Sequence, residues 1–232
     1  RYQEVTGVQT CALPISEAGP KAWWNPWGGG IRYYFQNVSP YSMMKENTKV
    51  EPVSRIDQNG HTWKGLCLTT EFTEHETMKG TTLKQYALTL PEVPVLACYG
   101  EILQNSGRTF KGELLDLEAF FKPGDELTSC FAKVPSEGVV EKYFAGIEEF
   151  MLGDTEYVTV GSEDWESKIT FIHSASRRLS ELYMNQEVFV TASTEEWSAS
   201  SGETYTTKPT ILLIGEEEYS ESINRFKEIT FR

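Results

Sequence analysis

The feature that most constrains this chain is the spacing of its strand-like segments. Runs of about 5–12 residues, rich in Thr, Val, Tyr and Phe, follow one another with turn residues between them. They cover residues 61–72, 81–90, 93–105, 113–121, 157–161, 169–173, 187–192, 204–214 and 225–231. The breaks carry turn chemistry: Asp57-Gln58-Asn59-Gly60, Lys79-Gly80, Asn105-Ser106-Gly107, Lys122-Pro123-Gly124-Asp125 and Pro135-Ser136-Glu137-Gly138. Gly reaches positive φ without a clash, and Asn, Asp and Ser side chains hydrogen-bond to their own backbone. Parallel βαβ units would need helical patterns between the strands, and those are missing. The expected fold is all-β: an antiparallel β-sandwich or supersandwich with at most one or two short helices.

Some segments declare their depth. Residues 93–103 are apolar on both faces, with Val93, Val95, Ala97 and Tyr99 on one and Leu96, Cys98 and Ile102 on the other. That pattern predicts a central strand covered on both sides. Tyr86, Leu88 and Leu90 alternate with polar neighbours, which predicts a half-buried strand. Two stretches compete as helices: residues 142–152, with a stripe of Phe144, Ile147 and Met151, and residues 177–184. There is no internal repeat and no low-complexity linker.

The first residues are set aside. Residues 5–15 read VTGVQTCALPI, which resembles the in-frame translation of a common sequencing-library adapter. We therefore treat residues 1–16 as a technical segment and residues 17–232 as one β-sandwich domain, expected to be part of a longer protein. The remaining cysteines, Cys67, Cys98 and Cys130, have neither the even count nor the short spacing of a disulfide or zinc framework. Cys67 and Cys98 lie inside apolar strands and read as small core residues. A reducing, cytoplasmic location follows as an expectation.

Charge removes several function classes. Against 34 Asp and Glu stand 21 Lys and Arg, a formal net charge of −13. Nucleic acid needs a basic footprint, so it is not an expected partner, and neither is an anionic membrane surface. No apolar run approaches the roughly 20 residues of a membrane-spanning helix.

Three segments could carry chemistry. Trp23, Trp24, Trp27, Tyr33, Tyr34 and Phe35 crowd around Gly28-Gly29-Gly30, with Arg32 among them. A sugar ring has a C–H face and a rim of hydroxyls, which such rings and polar edges suit. The alternative is that these rings close one end of the core. Next, Glu71, Glu74, His75 and Glu76 form an acidic cluster, with His61 opposite if the flanking runs form a hairpin. A carboxylate beside an imidazole can raise its pKa and orient it for acid/base work. Sugar hydrogen bonding, metal binding and an ordinary solvated turn are the other readings, and no metal or cofactor is assigned. Third, Tyr183, Asn185, Gln186 and Glu187 precede a stretch containing Trp197, a mixture suited to polyhydroxylated ligands. Glu187 opens an apolar strand that could raise its pKa, which makes it the candidate base. His173 reads either as a packed strand end or as an acid.

Residues 88–107 (LTLPEVPVLACYGEILQNSG) and residues 24–31 (WNPWGGGI) resemble passages of galactose mutarotase-like supersandwich domains. The resemblance implies a sugar-active setting, as in aldose epimerases or in parts of glycoside hydrolases and polysaccharide lyases. The leading expectation is a carbohydrate-binding domain of a larger sugar-active protein. Its ligand contacts are Trp23, Trp24, Trp27, Tyr33, Arg32, Asn185 and Trp197, and its partners are a saccharide and neighbouring domains. The resemblance also implies a His acid and a Glu base. The second reading is therefore an aldose 1-epimerase with Glu187 as base and His75 or His173 as acid. A third is a non-catalytic structural or interaction domain.

Overall fold

A computed structural model describes residues 30–35, 46–121, 130–136, 138–143, 149–150, 157–162, 165–173, 178–185, 188–215 and 220–232. The strands, in chain order, are β1 Gly30–Phe35, β2 Asn47–Ile56, β3 Thr62–Glu71, β4 Thr81–Thr89, β5 Val95–Gln104 and β6 Phe110–Phe121. They continue as β7 Cys130–Ser136, β8 Gly138–Tyr143, β9 Glu149–Phe150, β10 Tyr157–Ser162 and β11 Trp165–His173. The last are β12 Arg178–Asn185, β13 Val188–Ala199, β14 Thr204–Thr206 and β15 Thr210–Gly215, followed by the helix α1, Ser220–Phe226.

These strands form two antiparallel sheets. The smaller has five strands in the order β1-β6-β13-β12-β9. The larger has ten, in the order β2-β3-β4-β5-β15-β11-β10-β7-β8, with β14 added against β5. The all-β expectation holds, and α1 is the one α-helix among the described residues.

The ten-stranded sheet is apolar on both faces at its centre. β5 is buried from Val95 through Gly100, as its two-faced apolar pattern predicts. Because side chains alternate, the register divides its neighbours cleanly. Tyr86 lies across from Tyr99 and Leu88 across from Ala97, on one face, while Leu83 lies across from Ile102 on the other. The second face meets the smaller sheet: Leu83 and Ile102 pack with Phe110 of β6 and Trp197 of β13. The first face gathers Trp63, Tyr86, Leu88, Ala97 and Tyr99 under Ile223, Phe226 and Ile229. We call this first face the outer face.

One glycine shows how the β3–β4 hairpin closes. Gly80 has φ of 87°, and a Cβ there would meet the Ser106 Cα at 2.9 Å. A side chain would collide with backbone as well as strain the dihedral.

Several local expectations change. The helix expected over residues 177–184 is not found from residue 178 on: Arg178–Asn185 is strand β12, paired with β13 and β9, and residue 177 lies outside the described residues. Residues 225–231 are not a strand. The segment ends α1, and only Phe231 returns to a ladder, through a bridge to Asp57. Spacing explains it, since Ile223, Phe226 and Ile229 repeat every three residues and all are buried. In residues 142–152, Lys142 and Tyr143 belong to β8, and Glu149 and Phe150 form β9, so these four are not helical. Residues 204–214 split into β14 and β15. At the break the Thr207 hydroxyl accepts the Gly100 N–H at 2.8 Å. Cys67 and Cys98 are buried thiols, as expected.

Candidate functional site

The outer face is sealed by apolar groups at one end and carries charge at the other. β2 brings Arg55, β4 brings Tyr86 and Lys84, and β5 brings Tyr99 and Glu101. The register sets Tyr86 across from Tyr99, and Lys84 across from Glu101. The two tyrosine rings stack at 4.5 Å with a 12° interplanar angle, and Phe231 continues the stack on Tyr99 at 5.0 Å and 8°. The Arg55 Cζ lies 4.7 Å over the Tyr86 ring. Its Nη2 donates to the Tyr86 hydroxyl at 2.9 Å, and that hydroxyl donates to Glu101 Oε2 at 2.8 Å. A cation, a phenol and a carboxylate are thus held in line by charge-assisted hydrogen bonds.

The electrostatics keep the phenols neutral. Burial, then the Glu101 carboxylate that accepts its proton, pushes Tyr86 far above the usual phenol range. Burial pushes Tyr99 up to about 12, against the opposing pull of Arg55. Arg55 loses some basicity to burial but gains more from Tyr86 and stays above its ordinary value. Tyr86 and Tyr99, each 2% exposed, therefore organise the site, while Arg55 and Glu101 are only partly buried and can meet a ligand.

The acidic cluster foreseen at residues 71–76 is built differently. A carboxylate from outside it, Glu46, is 8% exposed and accepts the backbone N–H groups of Thr73, Glu74 and His75 as well as the Thr73 hydroxyl. Burial pushes the Glu46 carboxyl up, but these donors outweigh it and hold it below the usual range. The His75 ring accepts the Met78 N–H at its Nδ1, 3.3 Å away, and meets Phe72 edge-on. Its Nδ1 therefore serves the turn. Among the described residues no three His, Cys, Asp or Glu side chains gather as metal ligands.

His61 is not opposite that cluster. It precedes β3, whereas Glu71 ends it. Ten strand residues separate the two by roughly 30 Å. His61 instead gives Nδ1 to Asp57 Oδ2 at 3.0 Å. Asp57 is 3% exposed and also accepts the Trp63 indole N–H and the backbone N–H groups of Asn59 and His61. Burial raises this carboxyl, but the Trp63 and His61 donors prevail and keep it low.

The residues singled out in the sequence are scattered. Trp23, Trp24, Trp27 and Glu187 lie outside the described residues. Arg32 and Tyr33 pair through β1 with Glu118 and Leu117. Asn185 closes β12 against Val188, and His173 ends β11 across from Thr210. Trp197 is corrected. It is 1% exposed, with its ring 5.1 Å from Phe110, and offers no face to a ligand. The reason is strand alternation, since Glu195, Trp197 and Ala199 point inward and Glu196 and Ser198 outward. Sequence reasoning missed Arg55 and Glu101. The usable signal was the period-2 relation of Tyr99 to Glu101, but it needed the register with Tyr86.

No protein-family model matches the sequence, and no curated protein matches it. Solved structures do. A TPR-domain containing protein from Parabacteroides distasonis aligns with a TM-score of 0.58 at 8% identity, over 82% of this chain and 38% of that one. A GH36 α-galactosidase, AgaA of Geobacillus stearothermophilus, aligns at 0.49 and 9% identity, over 82% of this chain and 28% of that one. A putative aldose 1-epimerase from Escherichia coli K12 aligns at 0.48 and 8% identity, over 73% of this chain and 69% of that one. The chain thus spans well under half of the first two proteins. At these identities the likeness is one of fold alone.

Proposed function

We propose that this chain is a carbohydrate-binding β-supersandwich domain of a larger sugar-active protein. The supporting observation is the Arg55–Tyr86–Glu101 line on the outer face. Saccharide hydroxyls are recognised by donors and acceptors that are already fixed, because an ordered side chain loses less entropy on binding. Arg55 is such a donor and Glu101 such an acceptor, and Tyr86 fixes both. Trp23, Trp24, Trp27, Tyr33, Arg32 and Asn185 remain proposed ligand contacts apart from this line, since Arg32, Tyr33 and Asn185 belong to the smaller sheet. The resemblance to galactose mutarotase-like domains points the same way.

A glycan array followed by titration calorimetry tests this reading. Glu101→Gln is expected to weaken saccharide binding about tenfold, or about 1.4 kcal/mol, with the melting temperature little changed. An array on which the intact chain binds no saccharide would reject it. The catalytic proposal for Glu187, with His75 or His173 as acid, is checked by polarimetry of aldose mutarotation. Unchanged rates in Glu187→Gln would remove it.

A further inference from the structure

The outer face also speaks to the class of saccharide, an inference that rests on the carbohydrate-binding reading above. The chain carries 34 acidic and 21 basic residues, so an unpaired cation inside its packing is unexpected. Arg55 and Lys84 are both partly buried, and among the described residues neither has a carboxylate within ion-pair distance. Arg55 is neutralised only at one remove. The uncharged Tyr86 hydroxyl stands between it and Glu101, with legs of 2.9 and 2.8 Å. Its Nη1 donates to the Ser54 carbonyl at 3.1 Å, and its Cζ lies over the Tyr86 ring. A guanidinium has five N–H donors in a rigid fork, so these contacts orient it without exhausting it. Lys84 sits two residues from Tyr86 on the same face of β4, about 7 Å along the strand. The registers put Lys49, Glu51 and Glu71 on this face too. Over β2 to β5 the face is therefore charge-balanced, three cations against three carboxylates, on a chain whose net charge is −13.

A neutral sugar needs no such arrangement, because hydroxyls are bound well by amides and carboxylates. An oriented, unpaired fork suits a planar anion. We infer that this face selects an acidic saccharide, with Arg55 taking a carboxylate of the uronate type and Lys84 adding positive charge farther along the same face.

The test compares tetragalacturonate with its carboxyl-reduced, neutral counterpart by calorimetry on the full chain. The acidic form is expected to bind at least about tenfold tighter, with an affinity that falls as salt rises. Arg55→Met should abolish the preference, and Lys84→Met should reduce it. If Arg55→Met does not fold, Arg55→Lys keeps the charge without the fork and should still lose most of the preference. Equal affinity for the two forms, or equal loss for both in the variants, would overturn this inference and leave carbohydrate binding standing. If no saccharide of either kind binds, both fail together.

Discussion

The two faces of the ten-stranded sheet are closed in different ways. The face toward the smaller sheet is sealed sheet on sheet. Phe72, Met78, Leu83, Ile102, Phe110 and Trp197 form one cluster, and Thr70, Thr81, Gln104 and Glu195 are buried on the same side. The outer face is sealed over part of its area by α1 and residues 229–231, and the covering is pinned at its end. Gln58 N–H donates to the Thr230 carbonyl at 3.1 Å, and Thr230 N–H returns to Gln58 Oε1 at 2.7 Å. Beyond that cover the face turns polar, and there Arg55, Lys84 and Glu101 stand. The difference separates roles. One face supplies cohesion, and the other trades part of its cover for oriented charge.

The largest expected effect breaks the first face. Trp197→Ala removes a fully buried indole and should cost about 3–5 kcal/mol, read as a lower denaturation midpoint. Phe231→Ala, on the partly exposed edge of the outer face, should cost less, about 2 kcal/mol. A larger loss from Phe231→Ala than from Trp197→Ala would show that the outer cover, and not the sheet-on-sheet core, dominates stability.

Acid should act at the two ends of β2, where Glu46 and Asp57 sit. Asp57 and Glu46 both have carboxyls held below their ordinary values. Their contribution is full above the unfolded-state values near pH 4, and it is lost as pH falls through the lowered native values. Melting temperature should therefore drop steeply below about pH 4. Asp57→Asn should flatten that drop and cost about 1–3 kcal/mol at neutral pH, through weakened contacts to Trp63 and His61. An unaltered acid limb in Asp57→Asn would remove Asp57 from the account.

The smallest effect concerns the turn into β5. Glu92 has φ of 66°, a conformation that favours glycine, in a turn closed by Val93 N–H to the Leu90 carbonyl. Glu92→Gly should relieve about 1 kcal/mol of backbone strain and give back part of it in unfolded-chain entropy. The net expectation is a gain of about 0.5 kcal/mol, seen as a slightly higher melting temperature with saccharide binding unchanged.

How much of this was legible beforehand differs by element. β3, β4 and β5 were read within two residues of their ends, because alternation and two-sided apolar runs are properties of the local sequence. Residues 178–185 were not, since a short apolar pattern suits either period. Pairing with β13 on one side and β9 on the other decided it. Residues 220–226 are too few to form a stable helix alone. Burial of Ile223 and Phe226 on the outer face accounts for α1.

The candidate site divides in the same manner. The aromatic richness of the chain, its acidity and its all-β character follow from residue types and their spacing alone. Which rings form a core was a tertiary matter, because the inward or outward sense of Trp197 depends on the strand register of β13. The Arg55–Tyr86–Glu101 line joins three strands, from residue 55 to residue 101. No local pattern relates those positions. Only the antiparallel registers of β2 to β5 bring them within hydrogen-bond reach, and hydrogen bonds are too short-ranged to form without that alignment.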